Sequence, residues 1–208
     1  MVKVGITGGI GSGKTTVCRM LEEAGVPVLY ADAIAIEIEQ SDPAIRKALT
    51  ELLGKEAFHE NGTVNRPYLA SKIFSSKKLH KAVEQIVHPA VMQEIDRRMR
   101  KYSESGTPVV AVEAALLYES GMHKQLDAIV VVDARENLRI RRVVDRDQVK
   151  AEAVRKRMAA QWSVERKIRS AHVVLGNNGT MEELRVKVGF LLTLFTTLSK
   201  GSTHAVSL

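Results

Sequence analysis

The chain contains little of what marks secreted, membrane-spanning or disulfide-stabilised proteins. Only one of its 208 residues is a cysteine, Cys18, so no internal disulfide can form, which agrees with a reducing compartment. The apolar runs fall well short of the roughly 18 residues needed to cross a bilayer. The first residues enter a predicted strand at once, without a basic, then apolar leader. We therefore expect a cytoplasmic protein with no membrane segment.

Aromatic residues are also scarce, at 4%, and basic residues are not interleaved with them in the way that stacks nucleic-acid bases. The net charge of +7 attracts anions, but it does not distinguish nucleic acid, a membrane or a phosphorylated metabolite. A basic protein without a special anionic partner is the plain alternative. Nucleic acid is thus a secondary hypothesis, and we expect no nucleic-acid partner.

The overall composition is that of an ordinary globular protein, with 45% hydrophobic and 26% charged residues. A chain of 208 residues can bury one principal core with a smaller insertion, since single cores usually span about 100 to 200 residues. We predict a single domain over residues 1–208.

Strand and helix patterns alternate along this domain. Short apolar runs predict strands at 2–7, 26–30, 108–112, 128–132 and 172–175. Uninterrupted apolar strands are buried on both faces, as in α/β proteins with a largely parallel sheet. Thr180 and Glu183 predict a capping box for a final helix, and we expect the tail after Lys200 to fray.

Helical periodicity replaces the strand pattern between residues 37 and 105. Asp42-Pro43 starts one helix, residues 68–74 mark a short one, and a longer helix is predicted with an interruption at His88-Pro89. In α/β enzymes such an insertion often carries the pocket for a second substrate. We predict that role for residues 37–105.

Residues 136–170 form a second helical region, and it is very basic. Most of its arginines are typical of a solvated helix face, although one or two could close over a transferring phosphoryl group, where a guanidinium offsets developing charge. We predict a basic helical lid here.

The stretch GITGGIGSGKTT, residues 5 to 16, carries the clearest chemical signal. It fits G-x-x-x-x-G-K-[ST] between an apolar strand and an amphipathic helix, so backbone N–H groups can converge on phosphates. Lys14 adds positive charge for the β and γ phosphates, and the Thr15 hydroxyl is placed to ligate Mg²⁺. A dinucleotide fingerprint fails because Lys14 stands where glycine is needed. The predicted nucleotide-contacting residues are Gly8, Gly9, Ile10, Gly11, Ser12, Gly13, Lys14, Thr15 and Thr16.

Two carboxylates follow predicted strands at the edge of the sheet where ligands of open α/β folds bind. Asp32 could orient an acceptor hydroxyl and take its proton, or it could cap the following helix. Glu113 could hold Mg²⁺ directly or through water, or it could be a solvated loop carboxylate. Position along the chain leaves these alternatives open.

The remaining candidate ligands and nucleophiles give no signal of their own. The six histidines are scattered without metal-ligand spacing, so we predict no zinc site. Cys18 lies within the helix after the glycine loop, where a small packing residue is expected.

Taken in order, the motifs resemble those of the dephospho-coenzyme A kinase family. The matching segments together cover about residues 2 to 180. They are GITGGIGSGKTT at 5–16, YADAIA at 30–35, NGTVNRPYL at 61–69, IF at 73–74, HPAV at 88–91, EAALLYE at 113–119, VVVD at 130–133, RRVVDRD at 141–147, Gln161, Lys167 and GNNG at 176–179. The glycine loop alone would not distinguish this family, whereas the DAIA, HP and LLYE elements in sequence are specific to it.

The resemblance implies a P-loop NTPase three-layer α/β sandwich with a mostly parallel sheet, a helical substrate-binding insertion and a lid. It also implies transfer of the ATP γ-phosphoryl group to the ribose 3′-hydroxyl of dephospho-coenzyme A, with ATP and Mg²⁺. Asp32 becomes the candidate general base, Arg142 belongs to the region that closes over the phosphates, and Asn177 lies near the adenine. His88 and Pro89 would have a mainly structural part in the coenzyme-binding insertion.

Three positions depart from the family pattern. Ala115 replaces a usual proline, so we expect a less rigid loop there, and His172 stands where an acid is common. Thr15 replaces the more frequent serine but keeps the hydroxyl, so we expect Mg²⁺ binding to survive.

Two other functions remain open from the sequence. One is another small-molecule kinase of the same fold, and the other is a nucleotide-hydrolysing switch or nucleic-acid ATPase. The absence of an N-K-x-D element weighs against a GTPase. The sequence does not fix the oligomeric state, for which we expect a monomer or a small homo-oligomer.

Overall fold

The structure, a computed structural model, describes residues 1–201 apart from the side chains at positions 74, 75, 77 and 201. The tail expected to fray therefore lies, from residue 202 onward, outside the described residues, as does His204. The chain divides into two compact units, and Ala31–Arg100 form the second. The first unit consists of Met1–Tyr30 and the chain from Lys101 onward.

The sheet of the first unit is parallel throughout and has the strand order β2-β3-β1-β4-β5. Its strands are β1 (Val2–Gly8), β2 (Val28–Tyr30), β3 (Val109–Glu113), β4 (Ala128–Asp133) and β5 (Val173–Gly176). All five predicted strands are confirmed, with shifts of one or two residues at their ends. Every residue of β3 is buried, as expected for a strand covered on both faces of the sheet.

The helices are α1 (Lys14–Glu23), α2 (Ala31–Ser41), α3 (Pro43–Leu53), α4 (Arg66–Ser75), α5 (Lys77–Glu104), α6 (Glu136–Asp147), α7 (Ala151–Ala159), α8 (Val164–Arg169) and α9 (Met181–Gly201). Single turns of 3-10 helix occur at Lys55–Ala57 and Met122–Gln125.

The main core of the first unit lies between the sheet and helices α1 and α9. Val4 and Ile6 of β1 are fully buried there, together with Leu21 of α1 and Phe195 of α9. Thr180 precedes α9, and its hydroxyl accepts the Glu183 N–H at 3.2 Å, as the predicted cap requires. This packing fixes the end of β1, from which the glycine loop leaves.

The second unit is helical, with a single isolated β-bridge between Phe58 and Val64 among its described residues. The predicted start at Asp42-Pro43 is confirmed, because Asp42 Oδ1 accepts the N–H of Ala44 at 2.8 Å and that of Ile45 at 3.1 Å. Asn65 caps α4 in the same way by accepting the Tyr68 N–H.

The predicted interruption at His88-Pro89 is wrong, because α5 runs continuously through Pro89. A proline inside a helix removes one backbone hydrogen bond and favours a kink. The residues that hold α5 in place lie four apart on one buried face: Val83, Val87, Val91 and Ile95. Pro89 is exposed on the other side. Burial of the apolar face outweighs the local cost of the proline.

None of the helices in the described part of the chain combines the length and the apolar character needed to span a lipid bilayer.

Candidate active site

The glycine loop connects the carboxyl end of β1 to α1. Gly13 precedes the first turn of α1 with φ of 97°, a left-handed conformation that favours glycine. The Lys14 side chain folds back along the loop, where Nζ donates to the carbonyl of Gly8 at 3.2 Å and to that of Gly9 at 3.5 Å. The loop therefore holds its own lysine beside its backbone, next to the amino end of a helix that attracts anions.

Asn177, which follows β5, binds the end of this loop that enters α1. Its side-chain Nδ2 donates to the Ser12 carbonyl at 2.8 Å, and its backbone N–H donates to the Asp133 carbonyl at 2.7 Å. A Cβ at Gly13 would overlap the Asn177 amide, so this close approach requires glycine. The Ser12 hydroxyl is buried and has no hydrogen-bond partner among the described residues. Asn177 thus fixes the loop from the side, as a buried polar residue with satisfied hydrogen bonds can do.

Helix α6 places two arginines against the same loop. The Arg142 Nη2 group donates to the Asn177 carbonyl at 3.2 Å, and Nη1 is buried without a partner among the residues described. Arg139 lies one turn earlier and is 6% exposed, with Nε donating to the Ala134 carbonyl at 2.9 Å. A Cβ at Gly9 would overlap the Arg139 guanidinium. The sequence had pointed to Arg142, whereas Arg139 was indistinguishable from the exposed arginines around it.

A cavity of about 310 Å³ opens beside Gly9 and is walled by α6, α7 and the start of α8. Arg139, Arg155 and Trp162 contribute to its wall. The other face of α6 carries Ile140 and Val143, which form a small apolar cluster with Val154 of α7. Of the predicted lid, α6 is therefore in direct contact with the phosphate loop.

The two predicted magnesium ligands lie on neighbouring elements. Thr15 is the second residue of α1 and is exposed, and Glu113 is the last residue of β3 and is 8% exposed. Both offer oxygen, the donor that Mg²⁺ prefers, and Mg²⁺ commonly takes only one or two protein ligands. No group of three or more His, Cys, Asp or Glu side chains suited to a metal occurs in the part of the chain that the structure describes. The two oxygen donors suit Mg²⁺.

Cys18 is buried behind the loop on α1. Burial raises the pKa of its thiol well above the ordinary range, and the Glu113 carboxylate raises it further, whereas Lys14 acts in the opposite direction. The thiol therefore stays protonated. The prediction of a packing residue is confirmed, since a nucleophilic cysteine needs a depressed pKa.

Asp32 belongs to the second unit and is the second residue of α2. An N-cap residue precedes the first helical residue, so the capping alternative for Asp32 is wrong. The carboxylate is exposed, and it makes no hydrogen bond or ion pair within residues 1–201. Along the chain Asp32 follows Tyr30, which pairs with Glu113 in the sheet. It is therefore available for a role other than capping.

A fully buried lysine holds the loop after β3. The Lys167 Nζ group donates to the Ala115 carbonyl at 2.7 Å and forms an ion pair with Glu119 at 3.1 Å. Glu119 Oε1 also accepts a hydrogen bond from the backbone N–H of Trp162 at 2.8 Å. This loop had been expected to be less rigid because Ala115 replaces proline, but here Lys167 fixes its carbonyl. This ion pair could not be predicted from the sequence, because Lys167 lies in a basic helix and Glu119 in a distant loop.

The same loop carries Tyr118, whose ring stacks on Trp162 with centroids 5.7 Å apart. Its hydroxyl donates to the Ser170 carbonyl at 2.7 Å, so Tyr118 joins the loop to both ends of α8. Tyr118→Phe should lower the free energy of unfolding by about 1 kcal/mol, because it removes one part-buried hydrogen bond and keeps the ring. Denaturant unfolding measures the change. Tyr102→Phe is the control, and an equal effect of both variants would contradict this role.

The fold and the loop together define a class of protein. The sheet is parallel in the order β2-β3-β1-β4-β5, and G-x-x-x-x-G-K-[ST] lies between its central strand and the first helix. Together with the arginines against that loop, these features define a P-loop kinase. The family model for dephospho-CoA kinase matches residues 2–183 of the chain. The chain belongs to the dephospho-CoA kinase family.

Individual relatives agree with this assignment. The dephospho-CoA kinase of Salinibacter ruber is 41% identical over 187 residues, which cover 90% of this chain and 94% of the relative. That of Chlorobaculum tepidum is 38% identical and covers 89% of this chain and 90% of its own. A crystal structure of a Thermus thermophilus protein is similar with a TM-score of 0.79 and 34% identity, covering 92% of this chain and 96% of that one. The protein is therefore an enzyme that transfers a phosphoryl group from ATP, and its family acts on dephospho-coenzyme A.

Proposed function

We propose that the protein transfers the γ-phosphoryl group of ATP to the 3′-hydroxyl of the ribose of dephospho-coenzyme A, giving coenzyme A and ADP. This is the last step of coenzyme A biosynthesis. The observation that carries the proposal is the family match over residues 2–183, which includes the whole phosphate loop. The net positive charge of the chain suits two polyanionic substrates.

The nucleotide is bound by Gly8, Gly9, Ile10, Gly11, Ser12, Gly13, Lys14, Thr15, Thr16 and Asn177. The loop N–H groups and the amino end of α1 cradle the phosphates. Lys14 supplies a movable charge that leaves the Gly8 and Gly9 carbonyls for a phosphate. Asn177 lies toward the adenine, and Arg142, hydrogen-bonded to its carbonyl, offsets charge on the phosphates.

Thr15 and Glu113 would hold Mg²⁺, the first through its hydroxyl and the second directly or through water. When bound, the ion neutralises charge on the β and γ phosphates. Glu113 ends the buried strand β3, and its carboxylate supplies the oxygen ligands that Mg²⁺ prefers, which supports this role.

Asp32 acts as the general base. Its carboxylate accepts a hydrogen bond from the 3′-hydroxyl and takes the proton as that oxygen bonds to the γ-phosphorus and the bond to the ADP oxygen breaks. Its exposure, and the lack of a structural partner among the described residues, support this role.

The remaining regions have supporting roles. Residues 37–105 bind the coenzyme, with His88 and Pro89 as structural parts of α5, and residues 136–170 form the lid over the nucleotide. The free, buried Cys18 supports a place in the cytoplasm. We propose a monomer or a small homo-oligomer.

Product analysis tests this function. The purified protein with Mg²⁺, ATP and dephospho-coenzyme A should give one new product, heavier by one phosphoryl group, together with stoichiometric ADP by mass spectrometry. Nucleosides and sugar acids should give no such product. ATP hydrolysis that is stimulated by polynucleotide and leaves dephospho-coenzyme A unchanged would instead indicate an ATPase.

A further inference from the structure

Arg139 differs from the exposed arginines of the basic region in both burial and surroundings. Arg141 is 81% exposed in its side chain and pairs with Asp145, and Arg157 pairs with Asp147. Arg139 is 6% exposed, and no ion pair of its guanidinium occurs within residues 1–201. A buried cation without an anionic partner is costly, so such a group is typically retained where an anion binds.

Backbone contacts fix this guanidinium against the phosphate loop. Its Nε donates to the Ala134 carbonyl at 2.9 Å, which anchors one edge of the group and leaves the two terminal nitrogens free of that bond. Nη1 is the atom that a Cβ at Gly9 would overlap, so the terminal nitrogens lie directly over the second residue of the loop. The cavity of about 310 Å³ begins at the same place, because Gly9 and Arg139 both line it.

The two acidic residues of the cavity wall form no ion pair with Arg139 in the described part of the chain, although Glu165 interacts with it electrostatically. Glu136 and Glu165 also line the cavity, and both are exposed. The pKa of Glu165 is lowered mainly by its own backbone N–H and by Ser163, with a smaller contribution from Arg139. Arg139 lines the cavity and uses Nε for its bond to Ala134, so the side of its guanidinium that faces the cavity keeps room for an incoming anion.

Arg139 and Arg142 lie at opposite ends of the loop. Arg142 is bonded to Asn177, and Asn177 contacts Ser12 and approaches Gly13. If Asn177 lies toward the adenine, as the proposed function has it, the Gly13 end faces the nucleoside and the Gly9 end faces the terminal phosphate. One helical turn of α6 thus spaces two guanidiniums along a polyphosphate chain.

We propose that Arg139 is a further phosphate-binding residue, which contacts the terminal phosphoryl group of ATP at the Gly9 end of the loop while Arg142 serves the phosphates nearer the nucleoside. The inference rests on the proposed function for its direction along the nucleotide. It assigns the two arginines of α6 different phosphates, and this division can be measured.

Comparison of ATP with ADP binding tests the division without any acceptor substrate. Arg139→Gln should weaken binding of ATP by about tenfold and change that of ADP by less than about threefold, because ADP lacks the group that Arg139 contacts. Arg142→Gln should weaken both nucleotides to a similar extent. Isothermal titration calorimetry with Mg²⁺ and the nucleotide supplies the dissociation constants, and Arg141→Gln is the exposed control that should change neither.

The outcomes separate clearly. Equal weakening of ATP and ADP by Arg139→Gln, or no weakening of either, would overturn the proposal. Retained ADP binding itself shows that the variant is folded. Should Arg139→Gln not fold, Arg139→Lys keeps the charge but loses the planar fork, and it should still weaken ATP more than ADP. Because no acceptor takes part, failure to phosphorylate dephospho-coenzyme A would contradict the proposed function and leave this test intact.

Discussion

Replacing Asp32 by asparagine is expected to reduce kcat by on the order of 10² or more while leaving the affinity for ATP nearly unchanged. The amide has the size of the carboxylate but cannot take the proton of the attacking hydroxyl. The Asp32 carboxylate makes no hydrogen bond among the described residues and does not cap α2, so stability should change little. Steady-state kinetics with both substrates varied, together with ATP titration, measure the effect.

A matched control makes the Asp32 experiment specific. Glu23 is the last residue of α1, is 63% exposed in its side chain and forms only a loose pair with Arg185 at 3.6 Å. It lies outside residues 37–105, so Glu23→Gln changes the charge by the same amount and should leave kcat unaltered. A loss below about threefold for Asp32→Asn would show that Asp32 is not the base, since general-base removal costs far more.

Lys14→Ala should produce the second large loss, a decrease in kcat/KM on the order of 10²–10³. The ammonium group lies over the loop carbonyls of Gly8 and Gly9, at the place where the loop binds phosphate. Its removal takes away an electrostatic interaction that becomes stronger as negative charge moves toward the leaving oxygen of ADP. ATP binding should weaken as well, so kinetics and calorimetry should change together.

The Lys14 variant also has a built-in comparison. Lys124 is exposed and lies outside residues 5–16, 37–105 and 136–170, so Lys124→Ala removes one positive charge and should leave turnover unchanged. Unchanged turnover of Lys14→Ala would instead exclude the loop from catalysis, whatever its affinity for nucleotide.

The strands and the phosphate loop could be predicted from the sequence because their signals are local. Apolar runs such as Val109–Glu113 need burial on both faces, and the loop pattern fixes its own backbone. The continuity of α5 through Pro89 could not be predicted, because proline disfavours the interior of a helix locally. The burial that outweighs this cost depends on tertiary packing, which the sequence does not show.

The site was predictable for the residues within motifs and not for those defined by distant contacts. Lys14, Thr15 and Asn177 belong to recognisable segments. Arg139 carries the same charge as many neighbours, and only the folded chain distinguishes it, through its position over Gly9. Lys167 matches the family pattern, but its contacts with Ala115 and Glu119 could not be predicted from the sequence. In the sequence, a helix with one buried basic residue has the same periodicity as a helix whose basic residues are all exposed. The pattern therefore does not show which basic residue is buried.

The position of β1 has a consequence for synthesis on the ribosome. This strand is synthesised well before its two sheet neighbours, Val109–Glu113 and Ala128–Asp133. A nascent chain can form the ladders on both sides of the glycine loop only after residue 133 has left the exit tunnel, because pairing partners so distant in sequence close late. Translation at about 5–20 residues per second separates these events by several seconds. Nucleotide capture by the growing polypeptide should accordingly begin only once the strand Ala128–Asp133 can pair.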